Sequence, residues 1–383
     1  MKTAFLAFVA LAMQIASAGV AACRVDVTPS GASFDEKPKA VVVGQAPGAA
    51  ISASSGNRGD WGVGFGATAA KPHGTGFFLT KGVGIPSLNE LLPQNKRGCM
   101  GTGAKLTTKQ GSTFTGGLWV CGATANGGAE ANYDFGFAYF PFSEGWIGGH
   151  IAGNGKELLA SANLPKGTTI TLTPSGALAG EILLKMPGID SLEDGMLFTV
   201  PEANGDDCTA VGPLPDGSAW YLRVADEDHN FNQEQRVPVG FVFVPYGLPG
   251  LVGGRIGEDG SVLNASGDFA ARRVAGGRYE IFIPGKSDQD GTLLVQITRL
   301  NPTGVEDNAM AWAYDAKACG GRGGFVVESY DQPAFAYQDM KFCFAFIPYE
   351  NQLRGEIPAR KSLFTARKTW TESMLAAREG LAK

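Results

Sequence analysis

Large apolar residues alternate with small ones in a short stretch that the chain writes three times: Phe135-Gly-Phe-Ala-Tyr-Phe-Pro141-Phe142, Val239-Gly-Phe-Val-Phe-Val-Pro245-Tyr246 and Phe342-Cys-Phe-Ala-Phe-Ile-Pro348-Tyr349. With the prolines aligned, Phe137, Phe241 and Phe344 fall in register, as do Tyr139, Phe243 and Phe346. The positions between them hold Gly136, Gly240 and Cys343, then Ala138, Val242 and Ala345. A period of two predicts a β-strand, and apolar residues on both of its faces predict an interior one. Proline follows where its missing N–H would interrupt a ladder, which marks the strand end.

The prolines recur at intervals of 104 and 103 residues, which is a domain period. More of the unit repeats. Trp146-Ile-Gly-Gly-His-Ile151 is matched by Leu251-Val-Gly-Gly-Arg-Ile256, Glu181-Ile-Leu-Leu by Glu280-Ile-Phe-Ile, and Asp194-Gly-Met-Leu by Asp290-Gly-Thr-Leu. Trp220 and Asp226 meet Phe325 and Asp331 at one offset. Matches in a constant order imply internal duplication. The Gly-Gly steps at 148 and 253 read as relief of crowding within strands rather than as phosphate loops.

Further short strands are expected at 24–28, 39–43, 106–108, 113–115, 118–121, 168–173, 196–200, 220–224, 269–273, 278–283, 293–297, 309–314 and 325–328. Gly76-Phe-Phe-Leu-Thr80 aligns with the Glu181 strand at a spacing of 104, and 46–60 reads as turn-like. Many short strands without alternating helices predict a mainly β fold of tandem antiparallel β-sandwich-like modules. The expected divisions are a signal peptide at 1–18, β modules at 19–145, 146–250 and 251–350, and a basic tail at 351–383. In that tail Leu363, Trp370, Met374, Ala377 and Leu381 fit a short amphipathic helix over about 361–379. Leu363-Phe-Thr-Ala-Arg-Lys368 also echoes Asp268-Phe-Ala-Ala-Arg-Arg273, which offers a strand for donation to another subunit.

Composition sharpens this picture. The 383 residues are 44% hydrophobic with 55 glycines, too apolar for disorder and suited to many tight turns. A net charge of −5 argues against a basic nucleic-acid binder. Met1-Lys2, the apolar run 5–15 and Ala16-Ser-Ala18 form a secretory leader cut before Gly19. Val20-Ala-Ala-Cys23 resembles a bacterial lipoprotein signal, which implies a lipid anchor at Cys23 as the minority alternative to soluble export. Six cysteines, an even number in an exported chain, suggest disulfides, with Cys99 to Cys121, Cys319 to Cys343 and Cys23 to Cys208 as one of fifteen pairings. No apolar run is long enough for a membrane-spanning helix.

Candidate chemistry is sparse. His73, His150 and His229 form no compact ligand spacing, and His150 aligns with Arg255. Asp226, Glu227 and Asp228 form the densest acidic run and offer oxygens for calcium, the one cofactor the pattern suggests. Trp146, His150 and Trp61 are the ligand-binding candidates, since outward rings would make a flat surface for a polymer. No catalytic residue stands out, because the repeat preserves no polar set. The pattern implies a secreted or cell-surface bacterial protein with a structural or adhesive role, self-associating or holding a surface polymer through exposed aromatics or its tail. A carbohydrate-binding module array and an extracellular glycoside hydrolase are the alternatives, with non-catalytic function favoured over enzymatic.

Overall fold

The computed structural model describes residues 21–28, 39–43, 52–55, 60–65, 76–82, 102–108, 112–120, 129–130, 135–172, 182–201, 208–225, 238–298, 309–331, 336–349 and 353. The expected signal peptide, the tail from 354 with its amphipathic helix or donated strand, His73 and His229 lie outside these residues, as does the acidic run at 226–228.

The described chain is almost entirely strand, and its strands fall into three sets. The first comprises β1 (Ala21–Thr28), β2 (Lys39–Val43), β3 (Ser52–Ser55), β4 (Asp60–Phe65), β5 (Gly76–Gly82), β6 (Thr102–Thr108), β7 (Ser112–Val120), β8 (Ala129–Glu130) and β9 (Phe135–Pro141). The second comprises β10 (Ile147–Ile151), β11 (Leu158–Ala162), β12 (Thr169–Leu172), β13 (Ile182–Lys185), β14 (Gly195–Pro201), β15 (Cys208–Pro213), β16 (Trp220–Ala225) and β17 (Val239–Pro245). The third comprises β18 (Val252–Ile256), β19 (Val262–Ser266), β20 (Ala270–Ala275), β21 (Arg278–Phe282), β22 (Gly291–Ile297), β23 (Ala309–Asp315), β24 (Gly324–Asp331), β25 (Ala336–Tyr337) and β26 (Phe342–Pro348). One helical turn, Ala318–Gly321, joins β23 to β24.

Each set forms two antiparallel sheets with the same hydrogen-bonded order. The first sheets run β2-β1-β9-β5, β11-β10-β17-β14 and β19-β18-β26-β22; the second run β3-β4-β7-β6, β12-β13-β16-β15 and β20-β21-β24-β23, with β8 and β25 added on β7 and β24. Read from the third strand onward, the order matches the ABED and CFG sheets of an immunoglobulin constant-type sandwich, with the first two strands supplying G and one further edge strand. Connectivity of this kind says nothing of function by itself. The turn-like stretch 46–60 contains β3, because pairing with β4 holds Ser52–Ser55 extended whatever its propensity. Gly76–Gly82 is the first set's counterpart of the Asp194 strand and not of the Glu181 strand. Gly76 pairs with Pro141 as Gly195 pairs with Pro245 and Gly291 with Pro348.

Within the second set, Ile147, Leu197, Phe241 and Phe243 from one sheet share a core with Leu184, Val211, Trp220 and Leu222 from the other. The third repeats this: Leu293, Val295, Phe344 and Phe346 face Tyr279, Ile281, Trp312 and Phe325. The rings meet edge to face, Trp220 on Phe243 at 5.7 Å and Phe269 on Phe344 at 4.8 Å. Each buried ring stabilises its sheet pair by roughly 1.5–3 kcal/mol.

The small faces are buried too. Every residue of β14, β17 and β22 is buried, and β26 is exposed to any degree only at Pro348. Strands of the other sets lie against β14, β17 and β22. β14 lies against β5 and β6, β22 against β15, and β5 against β23 and β22. The fifth strand of each set thus meets the sixth strand of the set before it, and the first set closes on the third. This cyclic, pseudo-threefold contact is why strands at sheet edges read as interior ones. The glycines of these strands leave no room for a side chain beside the neighbouring strand. A Cβ on Gly148 would stand 2.7 Å from Phe241 O, and one on Gly253 would meet Phe344 O and sit 3.2 Å from Met196 Cε of the second set.

Candidate functional site

The sequence-chosen ligand candidates do not come together on a surface. Trp146 is wholly buried, its ring edge-on to Phe140 at 4.9 Å, so it cannot offer a stacking face to a polymer. It sits just after the turn at Phe142–Glu144, where Asn163 Nδ2 donates to both Phe142 O (2.9 Å) and Trp146 O (2.8 Å) and pins the entry into β10. His150 is also buried, 6.5 Å from the Phe142 ring centre, and pairs with Gly240 on the small face of β17. Trp61 lies in β4, but its side chain is outside the described residues, and the acidic run begins just beyond Ala225, the partner of Cys208. Among the described residues no group of three His, Cys, Asp or Glu side chains is placed to hold a metal.

The disulfide framework is corrected. Cys319 and Cys343 are both buried and form no disulfide with each other. Cys343 alternates with Phe342 and Phe344 and so faces away from the core of its own sheet pair. Cys319 packs with Ala270, Phe282 and Val326 on the far side of the opposite sheet. Facing sheets pack about 10 Å apart, so the two thiols are separated by the whole layered core. Among the described residues no disulfide forms, and a scheme that pairs all six cysteines loses its support, including Cys99 with Cys121 and Cys23 with Cys208. Burial pushes the Cys319 thiol up to about 12, with the neighbouring Glu280 carboxylate adding to the effect. Such a thiol is neither a nucleophile nor a metal ligand at neutral pH.

The polar constellations that do form were invisible as motifs. On the outer face of the second sheet of the third set, Arg272 Nε and Nη2 donate to Glu280 Oε2 at 2.9 and 2.6 Å, and Cys319 N donates to the same oxygen at 3.0 Å. That carboxylate holds the strained turn at Cys319, whose φ of 57° is left-handed in a non-glycine residue. One register step along, fully buried Glu328 lies 3.0 Å from Arg278 Nε and accepts from Tyr337 Oη at 3.2 Å. The Arg278 Nε contact is an ion pair rather than an aligned hydrogen bond. A third cluster ties Arg273 Nε (2.7 Å) and Gly277 N (2.8 Å) to Asp339 Oδ1, which holds the Asp339 carboxyl below its ordinary range. Tyr279 beside it is pushed up to about 12, chiefly by burial, and its hydroxyl donates to Glu258 O and accepts from Met340 N.

A fourth constellation crosses between sets. Arg255 Nη2 donates to Asn264 Oδ1 at 3.0 Å, and Asn264 Nδ2 donates to Glu193 Oε2 at 3.2 Å. Tyr246, between them in the chain, is fully buried and its hydroxyl is pushed well above the phenol range by that burial. The nearby cleft of about 310 Å³ between Gly247 and Gly267 is lined by backbone and small apolar groups, and its one side-chain hydroxyl, Ser266 Oγ, already accepts from Gly247 N. The repeat gave one usable signal for this region, the alignment of His150 with Arg255. Both sit opposite the small position of the last strand of their set, Gly240 and Cys343.

Chemically these clusters clamp turns and join units; each carboxylate in them is matched to a cation, an amide or a phenol. Among the described residues no helix is long and apolar enough to cross a membrane. The chain matches no family model, no curated protein and no solved structure.

Proposed function

We propose that the chain is a secreted structural or adhesive surface protein built of tandem β-sandwich-like modules. One observation carries the reading: β17 and β26, the strands the sequence repeats, are buried on both faces, and β17 lies against β5 of another set. What duplication kept is packing, as expected of a stiff body whose role is mechanical. The leader at 1–18 supports export. It does so without help from disulfides, and a lipid anchor at Cys23 is the variant form of the same reading.

The test is to express the full chain with its leader in a bacterial host, fractionate the cells and sequence the mature N-terminus. The expected product is exported and begins at Gly19, or at an acylated Cys23 for the anchored form. Purified, it should sediment with whole cells or insoluble surface polymer, or with itself, and release no reducing sugar from glycans. Retention of the uncleaved chain in the cytoplasm, or glycan hydrolysis, would overturn the proposal, and the second outcome would favour the hydrolase.

A further inference from the structure

A two-sheet unit of this order has an open flank where its fifth and sixth strands lie one above the other, each at the edge of its sheet. Edge strands carry backbone donors and acceptors that no strand pairs, and such edges invite indiscriminate pairing unless something covers them. In the second set these strands are β14 and β15. Thr199 of β14 is fully buried at this edge, opposite Phe241 of β17. Its N–H donates to Gln296 Oε1 of the third set at 3.1 Å, with Thr199 Oγ1 at 3.3 Å from the same oxygen. On the facing edge, Thr209 O of β15 accepts from Gln296 Nε2 at 2.7 Å. Thr209 Oγ1 in turn donates to Thr199 O at 3.2 Å and stitches the two edges together.

We propose that the Gln296 side chain serves as a surrogate for a missing strand, docking the third unit on the open flank of the second and specifying which unit sits there. The chemistry suits the task. A primary amide carries the same donor and acceptor as a peptide group, so one side chain satisfies an edge N–H on one sheet and an edge C=O on the other. An apolar residue would fill the space and leave both groups buried without partners, a larger penalty than the bond is worth. The selectivity follows from the repeat. Gln296 pairs with Cys343, and the positions in the same register are Val200, paired with Gly240, and Lys81, paired with Gly136. Of the three, only Gln296 carries an amide. The first two units therefore cannot make these bonds in its place, and the order of units around the cycle is encoded at this position as well as by the chain connections.

Gln296 is a positioning residue, so its test reads Thr199 directly. Amide hydrogen exchange on the full chain should show the Thr199 N–H of Gln296→Met, which keeps the shape without donor or acceptor, exchanging about tenfold faster, with the inner strand β26 changed far less. Gln296→Glu keeps the acceptor for Thr199, and its protonated form restores a donor to Thr209 O. Protection should therefore return as pH falls through the carboxyl range, an effect that mere loss of packing cannot produce. In the unmodified chain, the Thr199 amide should open with the same denaturant dependence as β22, since it is released only when the third unit leaves. Unchanged Thr199 exchange in Gln296→Met, an equal rise throughout both sheets, or release of Thr199 at lower denaturant than β22 in the unmodified chain would each overturn the assignment. This last arm needs no variant, so a misfolded substitution does not shield the idea.

Discussion

The two sheets of the third set share one core, yet they differ in strand number and in what lies over their outer faces. Over β18, β22 and β26 that face is mostly small and apolar, with Leu294, Ala345 and Ile347 fully buried, and Gln296 reaches from it to the second set. Over β20, β21 and β24 it carries Arg272, Glu280, Arg278 and Glu328, each arginine paired with a carboxylate and still partly exposed. An apolar outer face needs a large complementary surface, which only another folded unit supplies. A polar one can be closed by short segments, provided each charge meets its partner. The contrast separates residues that fold a unit from residues that assemble units.

The largest expected effect breaks the side both sheets share. Phe344→Ala empties the centre of the core and should cost about 3–5 kcal/mol in denaturant unfolding, and Phe241→Ala should cost a similar amount in the second set. Next is the polar outer face. Arg278→Met strands the buried Glu328 carboxylate and should cost about 3 kcal/mol, largely regained in the Arg278→Met, Glu328→Gln double variant if pairing is what matters. On the apolar outer face, Gly148→Ala must push against Phe241 O and should cost about 1–3 kcal/mol, with no comparable penalty for Gly188→Ala beyond its positive φ, since no atom lies within 4 Å of a Cβ there.

A smaller effect concerns the thiols. Cys319 and Cys343 should resist alkylation in the native chain at pH 8 and react once denaturant opens it. Rapid native labelling of either would contradict its burial.

The smallest effect is a titration. The folded Asp339 carboxyl lies below its ordinary value, so its pairing with Arg273 contributes above about pH 4 and is lost as pH falls through the lower folded value. Asp339→Asn should therefore flatten the acid limb of stability by less than about 1 kcal/mol, because the pair is a third exposed and screened. A steeper acid limb in the variant would reverse the sign and refute the assignment.

Much of the frame was legible in the sequence because it rests on local periodicity. The strands at 220–224, 278–283 and 293–297 follow from alternation within a few residues, and Phe241 and Phe344 face their cores as period two requires. Gly76–Gly82 was recognisable as a strand but not as a fifth strand, since position in a sheet belongs to the pairing with β9 rather than to the residues themselves. Candidate sites were less legible still. Trp146 had the composition of a surface ring and the location of a core one, and Gln296 looked like any polar residue in a strand.

The sequence by itself determined the repeated strands and the faces that pack within each unit, because side-chain alternation is a property of neighbouring residues. Only the tertiary structure decided what covers the second face of β17 and β26, that Cys319 and Cys343 stand on opposite outer sides of one core, and that Gln296 meets Thr199 and Thr209. Those outcomes depend on residues about a hundred positions apart being brought to one flank, and no local pattern of apolar and polar positions encodes which unit a face will meet.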